Sequence, residues 1–304
     1  MGGCRRKRRN RENIDYTFRG FRSIYTDAYS KAVAHADRIA MTVPSAAREE
    51  QYGWMGQFPQ LREWIGPRHV HGLRAHSFTI RNRKFESTVE VSRDDISDDR
   101  LGVFKPMFQE MGWLARQHPE EMVFGLLASG FTEACFDGQP YFDTDHPLAD
   151  KDGAAITVSN MQAGSSTPWF LLDTSRAVRP LVWQVREDYE FQTINRADDE
   201  HVFLNDTYFF GVRARVNAGF GLWQPGFGSK ADLTAENHAA ARAAMMACRS
   251  DGGRVPGINP NVLVVPPALE SKALHLLNSE IKDSGGSNPW KGTADLIVTP
   301  FVAV

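Results

Sequence analysis

The sequence predicts a mixed α+β fold, and three observations support this prediction. Residues 103–129 carry apolar side chains at spacings of three and four, which is typical of a long helix. The segment 169–227 is a series of short β-type runs. The segment 234–281 has the pattern of a helix, a short buried strand and a second helix. Helices and strands are therefore both expected in quantity.

The N-terminal segment, 1–48, divides into a basic stretch and a helical stretch. Residues 1–13 read as disordered and contain six cationic side chains: Arg5, Arg6, Lys7, Arg8, Arg9 and Arg11. Because the net charge of the whole chain is only −2, the remainder is acidic. A short basic segment on an acidic body favours a tail that contacts a polyanion, and a solvated chain end is the alternative. From Phe21 to Ala32, apolar residues recur at helical spacing, which predicts a helix that ends before Pro44.

The next segment, 49–84, is aromatic, charged and rich in glycine and proline. Its ends alternate like strands, and its middle is interrupted by Pro59, Gly66 and Pro67. This pattern favours a long two-stranded excursion, which we call the ribbon. An isolated ribbon is marginal in water and needs a surface to lie on. If the chain itself does not supply that surface, a neighbouring subunit must, so the ribbon is a first indication of assembly.

A strand and a long helix are predicted after the ribbon. FESTVEV, 85–91, is a β-type run. DDISD, 94–98, matches a short magnesium-binding pattern of isoprenoid synthases, but acids at the start of a helix explain it better. The helix over 103–129 is expected to be kinked, with Pro119 opening its second part.

The remaining elements follow from local patterns. The strand-like runs are PLVWQV, YEFQTI, HVFLN, YFFGVRARV and GFGLWQ. Thr234 can cap a helix that begins at Ala235, and NVLVV is a short buried strand. Pro267 opens an amphipathic helix that continues to Ile281, and ADLIVTPFVAV is expected to be a further strand.

One loop concentrates residue types that bind metal ions. FDGQPYFDTDHPLADKDG, 136–153, holds Asp143, Asp145 and His146 within four positions. Carboxylate and imidazole groups this close could hold a divalent cation and begin a hydrolase site. However, no His-Glu-x-x-His pattern or second cluster supplies further ligands or a base. Prolines and glycines bracket the segment, so we favour a shaped loop whose acids bind backbone amides.

Composition narrows the class of protein. The chain is 42% hydrophobic and 24% charged, which is typical of a folded soluble protein, and it has no apolar run long enough to span a membrane. Cys4, Cys135 and Cys248 are few and far apart, which predicts a reducing compartment with neither a disulfide framework nor a zinc site. No nucleophile motif or phosphate-binding loop is present. We therefore expect no catalytic residues, no cofactor and no bound metal.

Several long runs of residues together carry a family resemblance. They are YGWMGQFPQLREWIG, FTIRNRKFESTVEVSRDDISDDRLGVFKPMFQEMG, HPEEMVFGLLASGF, FDGQPYFDTDHP, SNMQAGSSTPWFLLDTSRAVRPLVWQ, GVRARVNAGFGLWQPGFGSK, LVVPPALE and NPWKGTADLIV. In this order they resemble the Mu-like phage major head subunit family, gpT, over roughly residues 20–304. The basic segment 1–13 has no counterpart in the usual start of that family.

The resemblance implies the Hong Kong 97-like phage major capsid fold. In that fold the N-terminal arm would be 1–48 and the extended loop would be the ribbon, 49–84. The peripheral domain would comprise 85–130 and roughly 186–232, with a spine helix over 103–129. The axial domain would comprise roughly 131–185 and 233–304.

The resemblance also implies a function: a major capsid protein that assembles into hexamers and pentamers of the icosahedral shell around a phage or prophage genome. Its partners would be further copies of itself, scaffold, portal and decoration proteins, and packaged double-stranded DNA, without a membrane. Its location would be the virion, after assembly in the bacterial cytoplasm.

Two groups of residues acquire expected roles from this assignment. The ribbon is expected to contact a neighbouring subunit through Trp54, Phe58, Leu61, Arg62, Glu63, Trp64 and Arg68. The basic residues between Arg5 and Arg11 would face the interior and the DNA. The alternatives are a metal-dependent hydrolase built on Asp143, Asp145 and His146, and a nucleic-acid-binding protein that uses the basic segment.

Overall fold

The computed structural model of the protein describes residues 18–53, 55, 78–98, 101–150, 152–196, 198–250, 253–281 and 285–303. The chain divides into two compact units. The first draws on Met1–Ala34, Asn82–Pro119 and Val185–Val216, and the second on His35–Arg81, Glu120–Gln184 and Asn217–Val304. Each unit therefore contains segments that are distant in sequence.

Helices and strands are both present in quantity, as the sequence predicted. The helices are α1 (18–31), α2 (Ala36–Ile39), α3 (Arg93–Ser97), α4 (Leu101–Ser129), α5 (Glu200–Asn205), α6 (Ala235–Ala247) and α7 (Glu270–Asn278). The strands are β1 (Ala40–Pro44), β2 (Glu49–Gln51), β3 (Thr79–Arg81), β4 (Arg83–Ser92), β5 (His146–Ala149), β6 (Ala155–Val158), β7 (Met161–Gln162), β8 (Trp169–Leu172), β9 (Leu181–Ile194), β10 (Thr207–Phe220), β11 (Gly226–Ser229), β12 (Val262–Val265) and β13 (Asp295–Val298).

The first unit packs helices against a twisted antiparallel sheet. β4 pairs with β10 from Thr207↔Ser92 to Val216↔Arg83, and β9 lies on the other side of β10. Alternate residues of β10 are buried, because one face of the sheet is covered. Phe21 of α1 stacks on Phe108 of α4, and both contact Phe210 in the core of this unit.

α1 and α4 approach so closely that one position must be glycine. A Cβ atom at Gly112 would overlap the backbone carbonyl oxygen of Tyr25 and crowd Ala28. The backbone of α1 cannot move away without losing its own packing. Gly112 therefore sets the distance between the two helices.

The second unit is built on a five-stranded sheet in the order β13-β12-β8-β11-β7. Its central strands, β12 and β8, are buried along their whole length, which explains their continuous apolar sequences. α6 and α7 cover this core with Ala241, Met245 and Leu277. Thr234 caps α6 as predicted, because its side chain accepts a hydrogen bond from the Asn237 amide at 3.2 Å.

The long helix predicted over 103–129 is present as α4, but Pro119 does not open a new helix. Pro119 lies inside α4, and residues of α4 belong to both units. Val123, Phe124 and Leu127 after the proline are fully buried, so packing keeps the chain helical beyond it. Glu120 is buried beside it and accepts hydrogen bonds from the amides of His35 and Ala36 at the start of α2.

Other local predictions were wrong for identifiable reasons. HVFLN, predicted as a strand, forms α5, because Asp199 caps the helix and Asp206 ends it in the left-handed conformation at a φ of 53°. By contrast, the helix predicted from Phe21 is present as α1 and ends at 31, before Pro44 as predicted; after α2 the chain becomes β1. The helix expected to reach Ile281 ends at Asn278.

The acids of DDISD lie at a helix start, as the sequence indicated. Ser92 caps α3 by accepting from the Asp94 amide, and Asp94 and Asp95 lie in its first turn.

Among the described residues, no helix combines the length and apolarity needed to cross a membrane.

Candidate functional site

The base of the ribbon is an antiparallel strand pair in the second unit. β2 pairs with β3 in the register Glu49↔Arg81 to Gln51↔Thr79. The Tyr52 amide donates to the Phe78 carbonyl at 2.8 Å and adds one more rung beyond β2. The two ends of the ribbon therefore lie side by side.

A small core anchors this base. Tyr52, Met55 and Ile80 are buried with Val182 and Leu222, in a cluster separate from the main core of the second unit. A ribbon that is to reach a neighbour at a defined angle needs an anchored base. Ordering the residues of that base costs conformational entropy, and the contacts of this small core offset the cost.

The residues predicted to contact a neighbouring subunit lie outside the described part of the chain. These are Trp54, Phe58, Leu61, Arg62, Glu63, Trp64 and Arg68. The cationic residues predicted to face DNA also lie outside it: Arg5, Arg6, Lys7, Arg8, Arg9 and Arg11. The contact and interior-facing roles stay predictions.

The aspartate-rich loop is organised around His146, which is completely buried. Its ring stacks on the indole of Trp223, with centroids 4.1 Å apart and planes 8° from parallel. Nδ1 lies 2.8 Å from Asp137 Oδ2, and Nε2 lies 3.2 Å from Asn160 Oδ1. Both ring nitrogens thus face oxygen atoms.

Neighbouring groups fix which atoms donate in this network. Asn160 Nδ2 donates to the Tyr141 carbonyl, and its Oδ1 accepts from the Asp143 amide, each at 2.8 Å, so the orientation of the amide is determined. Nε2 of His146 must therefore be a donor. Asp137 accepts from the Cys135 thiol at 3.0 Å and from the Gln139 amide at 3.1 Å.

Asp137 is a carboxylate. Burial acts to raise the pKa of Asp137, but hydrogen bonds from His146 and Cys135 outweigh it and lower that pKa overall. A carboxylate cannot donate, so Nδ1 of His146 donates to it. The carboxylate and the imidazole thus form a buried hydrogen-bonded pair, and the imidazole ring lies on the face of Trp223.

The groups of this network are held by hydrogen bonds and are not free to react. Burial, followed by the charge of Asp137, raises the pKa of the Cys135 thiol far above its ordinary value, so the thiol is not a nucleophile. Both ring nitrogens of His146 are engaged by oxygen atoms, so neither is free to act as a base. Ligand-type atoms of Cys135, Asp137 and His146 lie within 4.8 Å of one another, but each is already held by the hydrogen bonds of the network. The network shapes a loop and performs no reaction.

The three residues predicted as metal ligands are not brought together. Asp143 uses Oδ1 to accept from the Thr144 amide at 2.6 Å. Asp145 is exposed, and its hydrogen bond with the Asp143 carboxyl, together with the charge of that group, raises its pKa. Among the described residues, His146 groups instead with Cys135 and Asp137. The turn closed by the Ala134↔Pro140 bridge carries Cys135 and Asp137 inward. The spacing of two residues between them was the signal in the sequence that could have indicated this grouping.

Comparison with known proteins identifies the family. The family described as Mu-like prophage major head subunit gpT matches residues 14–302. The major capsid protein of Escherichia phage Mu is 41% identical over 291 residues, which cover 93% of this chain and 95% of that protein. The Mu-like prophage FluMu major head subunit of Haemophilus influenzae is 41% identical over 276 residues, which cover 88% of this chain and 90% of that protein.

Solved structures agree with the family match. A chain of the bacteriophage JBD30 procapsid is 42% identical, with a TM-score of 0.84 over 95% of this chain and 98% of that one. A chain of the JBD30 capsid is 32% identical, with a TM-score of 0.75 over 90% of this chain and 92% of that one. The predicted Hong Kong 97-like capsid fold is thereby confirmed. The protein belongs to the Mu-like prophage major head subunit gpT family, whose relatives are structural proteins of phage heads.

Proposed function

We propose that this chain is the major capsid protein of a Mu-like phage or prophage and forms its icosahedral shell by self-assembly. The observation that carries the proposal is the match to the JBD30 procapsid chain over 95% of the sequence at a TM-score of 0.84. Mass spectrometry of purified phage heads tests it. This chain is expected to be the most abundant protein, and heads built from another protein would exclude it.

A shell protein works through the geometry of its contacts and needs no reactive site. Each contact between subunits is weak, but a subunit inside a shell must break many contacts at once to leave. The chain must therefore hold its contact surfaces at fixed angles. The buried hydrogen-bond network within the loop 136–153 and the anchored ribbon base would both serve that need.

The two units support an assignment to the domains expected of such subunits. The first unit, with its part of α4 and the β4–β10–β9 sheet, would be the peripheral domain. The second unit, with the five-stranded sheet and α6 and α7, would be the axial domain. The ribbon, 49–84, would be the extended part that reaches a neighbour. Within the N-terminal arm, 1–48, α1 packs in the core of the first unit, so only the part of the arm before α1 would reach beyond the subunit.

The ribbon is proposed to lie across a neighbouring subunit. Its aromatic residues supply the contact energy, since buried Trp and Phe dominate most interfaces, and Arg62, Glu63 and Arg68 form ion pairs at the rim. Trp64→Ala is expected to leave the subunit folded and to reduce the yield of shells. Folding is checked by circular dichroism and shell yield by sedimentation; normal particles from this variant would contradict the proposal.

The basic segment, Arg5 to Arg11, is proposed to face inward and to bind packaged DNA or a scaffold protein without sequence specificity. Deletion of residues 1–12 is expected to lower the yield of DNA-filled heads. An unchanged ratio of filled to empty heads in electron micrographs would argue against this role. Such binding would weaken steeply with salt, because it depends on counterion release.

The remaining partners follow from the same assignment. One JBD30 capsid is decorated with minor capsid protein trimers, and its shell chain is similar to this one, so a decoration protein is proposed here too. A scaffold and a portal, and assembly in the host cytoplasm before incorporation into the virion, complete the proposal.

A further inference from the structure

One buried side chain connects both strands of the ribbon base to β9. Gln184 is fully buried, and its Oε1 accepts a hydrogen bond from the Tyr52 hydroxyl at 2.8 Å. Its Nε2 donates to the Ile80 carbonyl at 3.0 Å. Tyr52 follows β2 and Ile80 is the middle residue of β3, so a single amide holds the outgoing and the returning strand.

We call the two hydrogen bonds of Gln184 to Tyr52 and Ile80 the clamp. The chemistry of the Gln184 amide fixes the geometry of this clamp. If the amide were turned over, its oxygen would face the Ile80 carbonyl, and two acceptors would repel each other in a buried position. Only one orientation therefore satisfies both strands. A hydrophobic residue at 184 would fill the space but would leave a buried hydroxyl and a buried carbonyl without these hydrogen bonds.

Packing on the next strand reinforces the clamp. Ile80 is buried and occupies the space where Gly219 of β10 has no side chain; a Cβ atom at Gly219 would overlap the end of the Ile80 side chain. Asn217, two residues earlier, donates from Nδ2 to the Arg81 carbonyl at 2.8 Å. Gln184 thus holds the base of the ribbon through hydrogen bonds, and Gly219 leaves the space that the Ile80 side chain fills.

We propose that Gln184 is a positioning residue for assembly: it fixes the two strands at the base of the ribbon relative to β9 and so sets the geometry of the contact that the ribbon makes with the next copy. This inference rests on the proposed function, because only a ribbon that reaches a neighbour needs a fixed direction. The role proposed for Gln184 therefore lies in the accuracy of assembly and not in the stability of the subunit alone.

The test compares Gln184→Met and Tyr52→Phe with a matched control, Tyr141→Phe. Met keeps the volume of Gln and removes both hydrogen bonds, and Phe removes the hydroxyl alone. Tyr141 is also fully buried, and its hydroxyl donates to the Pro180 and Leu222 carbonyls at 3.0 and 2.9 Å. Loss of this hydroxyl is chemically similar, but neither acceptor belongs to a ribbon strand. All three variants are made in the full chain.

Two measurements separate positioning from general stability. Hydrogen exchange of the unassembled subunit is expected to be about tenfold faster at 50–52 and 79–81 in Gln184→Met, which corresponds to about 1.4 kcal/mol, and unchanged there in Tyr141→Phe. Electron microscopy is expected to show fewer shells and a wider spread of diameters for Gln184→Met and Tyr52→Phe only.

The outcomes distinguish this inference from the proposed function. If the unmodified chain forms shells and Gln184→Met forms them with the same yield and diameter, Gln184 does not position the ribbon. Equal assembly defects in Tyr141→Phe would also overturn the inference, because the effect would then be general stability. If the unmodified chain forms no shells in phage-producing cells, the proposed function itself fails.

Discussion

His238 makes the stability of this protein depend on pH in a way that the structure lets us calculate. Its imidazole is fully buried, 5.3 Å from the ring of Trp290 and 6.4 Å from that of Trp169 between centroids. Neither ring nitrogen has a hydrogen-bond partner among the described residues. Burial, and secondarily the charge of Arg242, lowers the pKa of His238 from 6.5 to about 4.

The sign of the pH dependence of stability follows from the direction of this pKa shift. Between pH 6.5 and 4, the unfolded chain takes up a proton at this position and the folded chain does not, so the free energy of unfolding falls as the pH is lowered. The full shift corresponds to about 3 kcal/mol, at 1.36 kcal/mol for each pKa unit. About 2 kcal/mol of it is lost between pH 7 and pH 5.

The variant His238→Phe removes the titration and keeps an aromatic ring in the same space. Urea unfolding of the unassembled subunit, followed by tryptophan fluorescence, gives the free energy of unfolding at pH 7 and pH 5. We expect the variant to equal or exceed the unmodified chain at pH 7, because two unpartnered buried nitrogens are gone. At pH 5 its advantage should be about 2 kcal/mol larger.

A control and a refuting result complete this test. His275 is exposed on α7, so His275→Phe should leave the difference between pH 7 and pH 5 unchanged. Equal pH-dependent losses in the unmodified chain and in His238→Phe would refute the reasoning, since other groups would then account for the acid sensitivity.

Three further predictions concern other buried contacts. Asp137→Asn should lower the free energy of unfolding by about 1–3 kcal/mol at pH 7, because a neutral amide replaces the buried carboxylate that accepts hydrogen bonds from His146 and Cys135. Since the pKa of Asp137 is lowered, its contribution is present above pH about 4 and disappears as the pH falls further, so urea midpoints of the two proteins should converge in acid. Gly112→Ala should lower the thermal midpoint by several degrees, whereas Gly125→Ala on the same helix, with no atom near the new Cβ, should not. Glu120→Ala should destabilise the chain by about 1–3 kcal/mol in urea, because two amides of α2 lose their acceptor, and Glu120→Gln should restore most of this loss. Equal effects of Ala and Gln at 120 would show that the hydrogen bonds are unimportant.

Periodicity and capping predicted the elements whose local and tertiary preferences agree. α4, α6 and β12 have continuous apolar patterns, and Thr234 supplies an unambiguous cap. HVFLN was mispredicted because Val202 and Phe203 favour strands, whereas the caps at Asp199 and Asp206 decide the conformation. Pro119 was taken as a helix start because a proline usually is one, but burial of the following turn keeps α4 continuous.

The loop around His146 shows what sequence patterns leave undetermined. Adjacent acids suggested a ligand set, but the side chains of Asp143 and Asp145 hydrogen-bond to each other at the surface, while Asp137 is carried inward by a turn. Which acid meets His146 depends on Asn160 and Trp223, which are distant in sequence. Similarly, nothing in the sequence singles out Gln184, because its role arises only when β9 packs under the ribbon.

The central claim is that this chain builds a shell, and its sedimentation tests that claim most directly. The native protein in a lysate of induced, phage-producing cells is fractionated by velocity sedimentation, and the mass of the fraction that contains it is measured. We predict a particle of megadaltons in which this chain is the main component. A monomer or small oligomer, beside mature heads that lack the chain, would contradict the account.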